Sequence, residues 1–278
     1  MCFILSYMSN IYLNSNLLKT GKIKATISSK LRELIPALHI VNSIDSTNTY
    51  VLSYCKHEAK SGFTCLAEQQ TAGRGRWGRT WVSPYASHLY LSMFWQFPVT
   101  QPLSGLSLAI GVAITNVLKQ LGIHNGVGLK WPNDVYWQQK KLAGVLVETS
   151  SINTVIGIGL NVKMPDEADA EITQPWTDLH KILGAAPDRN LVAGLMISEL
   201  LTLLPQFSEH GFAPFLKDWK PLDINYHKPI TLQTPNGQYS GIAQGINSLG
   251  ELIIQCEDGV KRSFHSAEVL SPIHIENL

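Results

Sequence analysis

The residue types best suited to chemistry stand together in one short stretch, Ala72–Trp81, which we call the glycine–arginine loop. Three glycines alternate there with three arginines, and two tryptophans are interleaved: Gly73, Gly75, Gly78, Arg74, Arg76, Arg79, Trp77 and Trp81. Glycine loses much backbone entropy when it is ordered, so this spacing disfavours a helix or a strand. Guanidinium groups are permanently charged, forked donors that suit phosphate or carboxylate. The stretch predicts a mobile loop that orders around an anion, although an exposed basic turn would have the same composition.

A second polar group is the run Asp45–Asn48, which reads Asp-Ser-Thr-Asn. It separates a predicted strand, Leu38–Ile44, from a predicted helix, Thr49–His57. One of the four side chains is enough to cap the helix. The others leave donors and acceptors that could bind a small polar ligand at the start of the helix.

Two lysines flank the third informative segment, which begins Lys130-Trp-Pro-Asn-Asp134 and resumes as Lys141-Leu-Ala-Gly-Val145. Pro132 interrupts a short strand, and the polar residues after it favour a turn. The pattern predicts a hairpin-like unit with both lysines near the same turn. A solvated lysine is the usual outcome, but Lys141 enters a strand of small and apolar residues.

The remaining pattern supplies the elements that must position these groups. Strands are predicted at Thr64–Gln69, His88–Phe97 and Val155–Val162, and helices at residues 106–121, Leu191–Leu204 and Phe212–Lys220. The G-x-G of Val155–Val162 lacks a third glycine and a following long helix, which disfavours a dinucleotide-binding fold. Its glycines instead predict close approach of a ligand or another strand. Short alternating runs over residues 224–272 predict a small all-β domain.

Composition narrows the class of protein. The 278 residues are 45% hydrophobic and 15% charged, which is typical of an ordered globular protein. A net charge of +1 argues against a protein that coats nucleic acid. The four cysteines, Cys2, Cys55, Cys65 and Cys256, form no C-x-x-C pair, which favours free thiols in a reducing compartment. The apolar run in Met1–Tyr12 is a weak signal-peptide candidate, because no basic residue precedes it and no cleavage site follows. No later run reaches the length of a membrane span, so a cytoplasmic location is expected.

In their order and spacing, the Asp-Ser-Thr-Asn run, the glycine–arginine loop and the two lysine segments resemble those of the biotin protein ligases, across residues 38–272. The resemblance implies an α+β fold, in which a mixed β-sheet catalytic domain packed with helices is followed by a small C-terminal β-barrel domain. It also implies that biotin and MgATP form biotinyl-5′-AMP. The biotinyl group is then expected to pass to one lysine of the biotin carboxyl carrier protein of acetyl-CoA carboxylase.

The resemblance also assigns roles by position. The residues expected at biotin are Ser46, Thr47, Asn48, Gln70, Arg74, Gly75, Arg76, Lys141, Gly144 and Val145. Those expected at ATP or the adenylate are Gly73, Arg76, Trp81, Lys130, Asn133, Asn161 and Trp176. Lys141 and Arg76 are expected to be catalytic, and Mg²⁺ is expected to arrive with ATP, near Asn133, without a direct protein ligand.

The expected domains are an N-terminal extension over residues 1–37, a catalytic domain over 38–223 and the small β domain over 224–278. Because the extension is short for a complete DNA-binding module, we expect a ligase without repressor activity, acting as a monomer or homodimer with no DNA or membrane partner. A lipoate or octanoate protein ligase, a biotin-responsive repressor and a nucleotide-binding module without transfer chemistry remain the alternatives. The polar run favours biotin, because a ureido ring needs hydrogen-bond partners that an acyl chain lacks.

Overall fold

A seven-stranded mixed sheet forms the centre of the molecule. The computed structural model describes residues 17–55, 60–150, 152–165 and 172–270. The strands are β1 Leu38–Ile44, β2 Thr64–Gln70, β3 Leu89–Gln96, β4 Val127–Lys130, β5 Asp134–Trp137, β6 Lys140–Ser150 and β7 Asn153–Leu160. Their order is β1-β2-β3-β7-β6-β5-β4, with β1 and β2 parallel and every other pair antiparallel. The mixed sheet predicted for the catalytic domain is confirmed.

Helices cover this sheet and complete its core. They are α1 Thr20–Thr26, α2 Ser29–Arg32, α3 Thr47–Tyr54, α4 Leu106–Gln120, α5 Leu179–Leu183, α6 Arg189–His210 and α7 Leu216–Trp219. Helices α4 and α6 pack against each other, and their apolar residues join those of the strands in one continuous core. This core fixes the ends of the strands at which the polar run and the two lysines lie.

Three predicted helices differ from the structure. Helix α3 begins at Thr47, two residues before the predicted start, and the predicted residues 56 and 57 lie outside the described part of the chain. Helix α6 begins after Asp188, whose side chain caps it, and it runs through Pro205 to His210. A proline costs one backbone hydrogen bond, but the neighbouring leucine and phenylalanine side chains are fully buried and their packing outweighs that loss. The predicted helix Phe212–Lys220 is a series of short helical turns.

Because α6 does not stop at Pro205, it is long enough and apolar enough to cross a membrane by composition, contrary to the sequence expectation. Its most apolar 18-residue window is 56% buried inside the protein. It is therefore the core helix of the fold. Among the described cysteines, Cys55, Cys65 and Cys256 are free and buried, as predicted.

The described part of the N-terminal extension packs on the same core as the sheet. Helix α1 was not predicted, and α2 follows it at Ser29–Arg32. The backbone N–H of Leu18 donates to Glu68 at 2.6 Å, and that of Lys19 donates to Asn190 at 2.7 Å. Glu68 is itself buried against Arg189 in an ion pair. Residues 1–16 lie outside the described residues.

A second, five-stranded antiparallel sheet follows and confirms the predicted small β domain. Its strands are β8 Pro229–Thr234, β9 Gly237–Ile246, β10 Leu252–Cys256, β11 Lys261–Phe264 and β12 Glu268–Leu270, in the order β11-β10-β9-β8-β12. Trp131 donates its indole N–H to the Gly250 carbonyl at 3.0 Å, and Ser104 donates to that of Leu249 at 2.7 Å. These contacts fix the small sheet beside the glycine–arginine loop.

Candidate active site

One cleft brings together most of the residues singled out from the sequence. It lies over strands β3, β7 and β6, under the glycine–arginine loop, and residues 267–269 of the second sheet close one side of it. The predicted residues that line it are Ser46, Thr47, Asn48, Gln70, Arg74, Gly75, Arg76, Trp81, Lys130, Asn133, Lys141, Gly144 and Val145. Gly73 is a buried residue of the loop and does not line the cleft. Asn161 and Trp176 line an adjoining cavity that shares Trp81 and Lys141 with the cleft.

One end of the cleft is neutral and hydrogen bonded, and we call it the polar cradle: Thr47, Asn48, Gln70 and Ser92. Thr47 donates from its backbone N–H (2.9 Å) and its hydroxyl (3.1 Å) to Gln70 Oε1. The Ser92 hydroxyl lies 2.7 Å from Thr47 Oγ1 and 2.6 Å from Asn48 Oδ1. Ser46 is the N-cap residue of α3, but its side chain makes no capping bond, so its hydroxyl stays available to a ligand.

The Asn48 amide is fully committed to the protein. Its Nδ2 donates to Glu148 Oε2 at 2.7 Å and to the Leu146 carbonyl at 3.3 Å, so both N–H groups have acceptors. The residue is only 3% exposed. Asn48 therefore positions its neighbours and has no N–H left for a ligand. Glu148 and Ser92 were missed in the sequence, because each stands in a strand that reads as ordinary sheet.

Glycines form the floor of the cleft, as their spacing predicted, but the groups that approach them belong to the protein itself. A Cβ on Gly157 would lie 2.4 Å from Asn48 Oδ1, and one on Gly159 would lie 2.4 Å from the Trp81 ring. The indole of Trp81 also packs over Gly144. Its Nε1 is buried without a hydrogen-bond partner among the described residues, which leaves one donor at the floor of the cleft.

The other end of the cleft is cationic. Lys141 Nζ lies 2.9 Å from Asp134 Oδ2 and 5.4 Å from the centroid of the Trp81 ring. The Lys141 side chain is 14% exposed, so it is not the solvated lysine that is the usual outcome at such a position. Burial lowers the pKa of Lys130 and of Arg76, and the negative charge of Asp134 opposes both shifts. Asp134 thus stabilises several cations that would otherwise repel one another.

The predicted hairpin is present and contains Lys141, but Lys130 ends β4 and stands before a different turn, so the prediction that both lysines lie near one turn was wrong. Strands β5 and β6 pair through a turn in which Gln138 and Gln139 both have positive φ, and Tyr136 stands opposite Lys141. On the far side of Lys141, its backbone N–H donates to the Pro175 carbonyl at 2.9 Å. This hydrogen bond holds the segment that contains Trp176 beside the site.

The glycine–arginine loop folds over the cleft and is held by the second sheet. Arg76 donates to Ser266 Oγ at 2.9 Å and to Asn133 Oδ1 at 3.5 Å. Arg79 forms an ion pair with Glu268. Ser266 and Glu268 were also missed, because nothing local to residues 260–270 shows that they lie beside a loop 190 positions earlier in the chain.

The adjoining cavity presents an amide and an indole. Asn161 donates to the Thr177 carbonyl at 3.0 Å and is buried, while Lys181 Nζ lies 3.6 Å from the centroid of the Trp176 ring. A flat aromatic wall beside amide groups suits a planar, nitrogen-rich ring. This cavity meets the cationic end of the cleft at Lys141 and Trp81.

Comparison with known proteins agrees with this arrangement. A model of the biotin/lipoate A/B protein ligase family matches residues 40–164, and a model of the biotin protein ligase C-terminal domain matches residues 228–270. The bifunctional ligase/repressor BirA of Escherichia coli is 40% identical over 232 residues, which are 81% of this chain and 71% of BirA. The biotin–[acetyl-CoA-carboxylase] ligase of Mycobacterium tuberculosis is 34% identical over 225 residues, 78% of this chain and 82% of that protein.

Solved structures give the same result. The biotin protein ligase from Aquifex aeolicus, solved in complex with biotin and ATP, is similar with a TM-score of 0.74 and 29% identity, over 85% of this chain and 98% of that one. The fold and the cleft therefore define an enzyme of the ligase class. Within that class, the chain belongs to the biotin protein ligase family, which confirms the resemblance seen in the sequence.

Proposed function

We propose that this protein activates biotin with ATP and transfers it to a specific lysine of the biotin carboxyl carrier protein of acetyl-CoA carboxylase, in the cytoplasm. The observation that carries the proposal is the junction of a neutral polar cradle with a cationic cluster at Lys141. A neutral ureido ring fits the first environment, and a carboxylate beside a triphosphate fits the second. The adenine base would occupy the adjoining cavity at Asn161 and Trp176.

In the first step, a biotin carboxylate oxygen attacks the α-phosphorus of ATP. A phosphorus–oxygen bond forms, the bond to the β-phosphate oxygen breaks, and pyrophosphate leaves with its electron pair. Lys141 and Arg76 would stabilise the negative charge that develops between the two anions, because cations held in a partly buried site act more strongly than they do in water.

In the second step, the ε-amine of the carrier lysine attacks the acyl carbon of the adenylate. A carbon–nitrogen bond forms, the bond to the AMP oxygen breaks, and the amine gives up a proton to solvent. The mixed anhydride must be kept from water in the meantime. The glycine–arginine loop, fastened to Ser266 and Glu268, would supply that cover.

The site also fits magnesium carried by the nucleotide. Asp134 Oδ1 is buried without a partner among the described residues, and Asn133 offers an amide oxygen beside it. No cluster of three or more metal-ligating side chains occurs in the part of the chain that the structure describes. Magnesium tolerates such a sparse protein site when phosphates and water supply its other ligands, and it would offset charge on the triphosphate.

The test is release of pyrophosphate from ATP by the purified protein, with and without biotin, followed by transfer of labelled biotin to a carrier domain. We expect release only with biotin and label on the carrier lysine. Lipoic acid serves as the matched competitor, because it carries the same carboxylate without a ureido ring. Lipoyl transfer without biotinyl transfer would refute the proposal.

A further inference from the structure

Glu148 has no role in the proposed chemistry, yet it joins two parts of the site. It lies on β6, beyond the residues that pair with β5. Its Oε2 accepts from Arg74 Nη2 at 2.9 Å and from Asn48 Nδ2 at 2.7 Å. Arg74 belongs to the glycine–arginine loop and Asn48 to the polar cradle. One carboxylate oxygen therefore links the cover of the site directly to its binding surface.

The chemistry of the two donors makes the carboxylate specific. A carboxylate and a carbonyl are acceptors only, so Glu148 and the Leu146 carbonyl together fix which way the Asn48 amide points: Nδ2 faces both acceptors and Oδ1 faces the Ser92 hydroxyl. A neutral glutamine in its place could present either an acceptor or a donor. It would also lose the charge that attracts the guanidinium of Arg74.

The orientation set at Asn48 is passed on through the polar cradle. Ser92 lies within hydrogen-bond distance of both Asn48 and Thr47, and Thr47 donates to Gln70. Gln70 Nε2 in turn donates to Ser83 Oγ at 3.1 Å, and Ser83 donates to the Trp81 carbonyl at 2.9 Å. The chain of bonds thus leaves the loop at Arg74 and returns to it at Trp81.

We propose that Glu148 is a positioning residue that couples closure of the glycine–arginine loop to alignment of the polar cradle. The inference rests on the proposed function, since it assigns the loop to adenylate retention and the cradle to biotin. When Arg74 is drawn to Glu148, the same oxygen holds Asn48 in the orientation that completes the cradle. Biotin bound in the cradle and a closed loop then favour each other, because both require the same arrangement at Glu148.

The test is Glu148→Gln, which preserves shape and removes charge. We expect escape of the adenylate, measured as biotin label on an added non-carrier protein, to rise about tenfold, because bonds to a charged group are the stronger ones. The KM for biotin should rise about fivefold on the same basis, while the kcat of pyrophosphate release changes less than about twofold. A purely structural role would lower kcat and the thermal unfolding midpoint together. Glu257→Gln, an exposed glutamate of the second sheet, is the matched control.

The partner residue supplies an independent variant. Arg74 is 43% exposed, so Arg74→Met is not expected to disturb folding. If Glu148 acts through Arg74, the double variant Glu148→Gln/Arg74→Met should release adenylate no faster than the faster single variant. The inference would be overturned if the two single effects on adenylate release multiplied in the double variant. It would also be overturned if the Glu148→Gln enzyme retained adenylate as the wild type does. Absence of biotin-dependent pyrophosphate release from the wild type would instead contradict the proposed function.

Discussion

The two ends of the cleft are built in opposite ways. The polar cradle lies on strands and a helix of the core, its residues Thr47, Asn48 and Ser92 are buried, and its side chains satisfy one another. The cationic end is made from a loop, a hairpin and the second sheet, and its charges are held by ion pairs that water reaches in part. The difference teaches that the cradle is held by bonds among core elements, whereas the cationic end is completed only when separate elements meet.

The largest expected effect lies at the cationic end. Lys141→Ala should lower kcat for biotin-dependent pyrophosphate release by at least about 100-fold, since it removes a partly buried charge from the reacting groups. It should also lower the thermal unfolding midpoint by a few degrees, because Asp134 loses its partner. Lys140→Ala, an exposed lysine one residue earlier, is the control and should change neither value. Near-normal turnover in Lys141→Ala would place the catalytic charge elsewhere.

A change at the floor would test whether the cradle is preformed. In Gly157→Ala the new Cβ would lie only 2.4 Å from Oδ1 of the Asn48 amide. We expect the KM for biotin to rise about tenfold, because a crowded core shifts its side chains, while the KM for ATP stays within about twofold. Gly21→Ala, where a Cβ meets nothing within 4 Å, is the matched control. A Gly157→Ala enzyme with an unchanged KM for biotin would show that the cradle adapts.

The smallest effect should come from the exposed ion pair between Arg79 and Glu268. Arg79 is 61% exposed, so its ion pair with Glu268 is weak and sensitive to salt. Arg79→Ala should raise the KM for ATP only about two- to threefold, and it should reduce the rise in that KM as ionic strength increases. Arg32→Ala, on an exposed turn of α2, is the control. If Arg79→Ala changed the KM for biotin instead, the two ends of the cleft would not act separately.

Contiguous patterns predicted the parts of the molecule that are local. Strand β1 has the predicted bounds, Leu38–Ile44, because its apolar and β-branched residues stand directly before the polar run that ends it. The glycine–arginine loop and the lysine hairpin were found in the same way, since their residue types are unusual and adjacent. The continuation of α6 through Pro205 was hidden locally, because packing from elsewhere outweighs the proline.

Residues that act across long separations in the chain could not be predicted. Ser92 and Glu148 read as strand residues, and their importance comes from hydrogen bonds with Asn48, which stands 44 and 100 positions away from them in sequence. Helix α1 was missed for the same reason. Its buried Ile23 packs on the core, and a short segment with one such residue carries little periodicity of its own.

The position of Ser266 and Glu268 has a practical consequence for protein engineering. Two recognisable sequence modules, ending near residue 164 and beginning at residue 228, read as separable parts. The guanidinium groups of one module nevertheless find their partners in the other. A protein truncated between the modules would keep the glycine–arginine loop but lose Ser266 and Glu268, which hold it. Any fusion, split-enzyme reporter or chimaera made from this chain therefore has to include both modules.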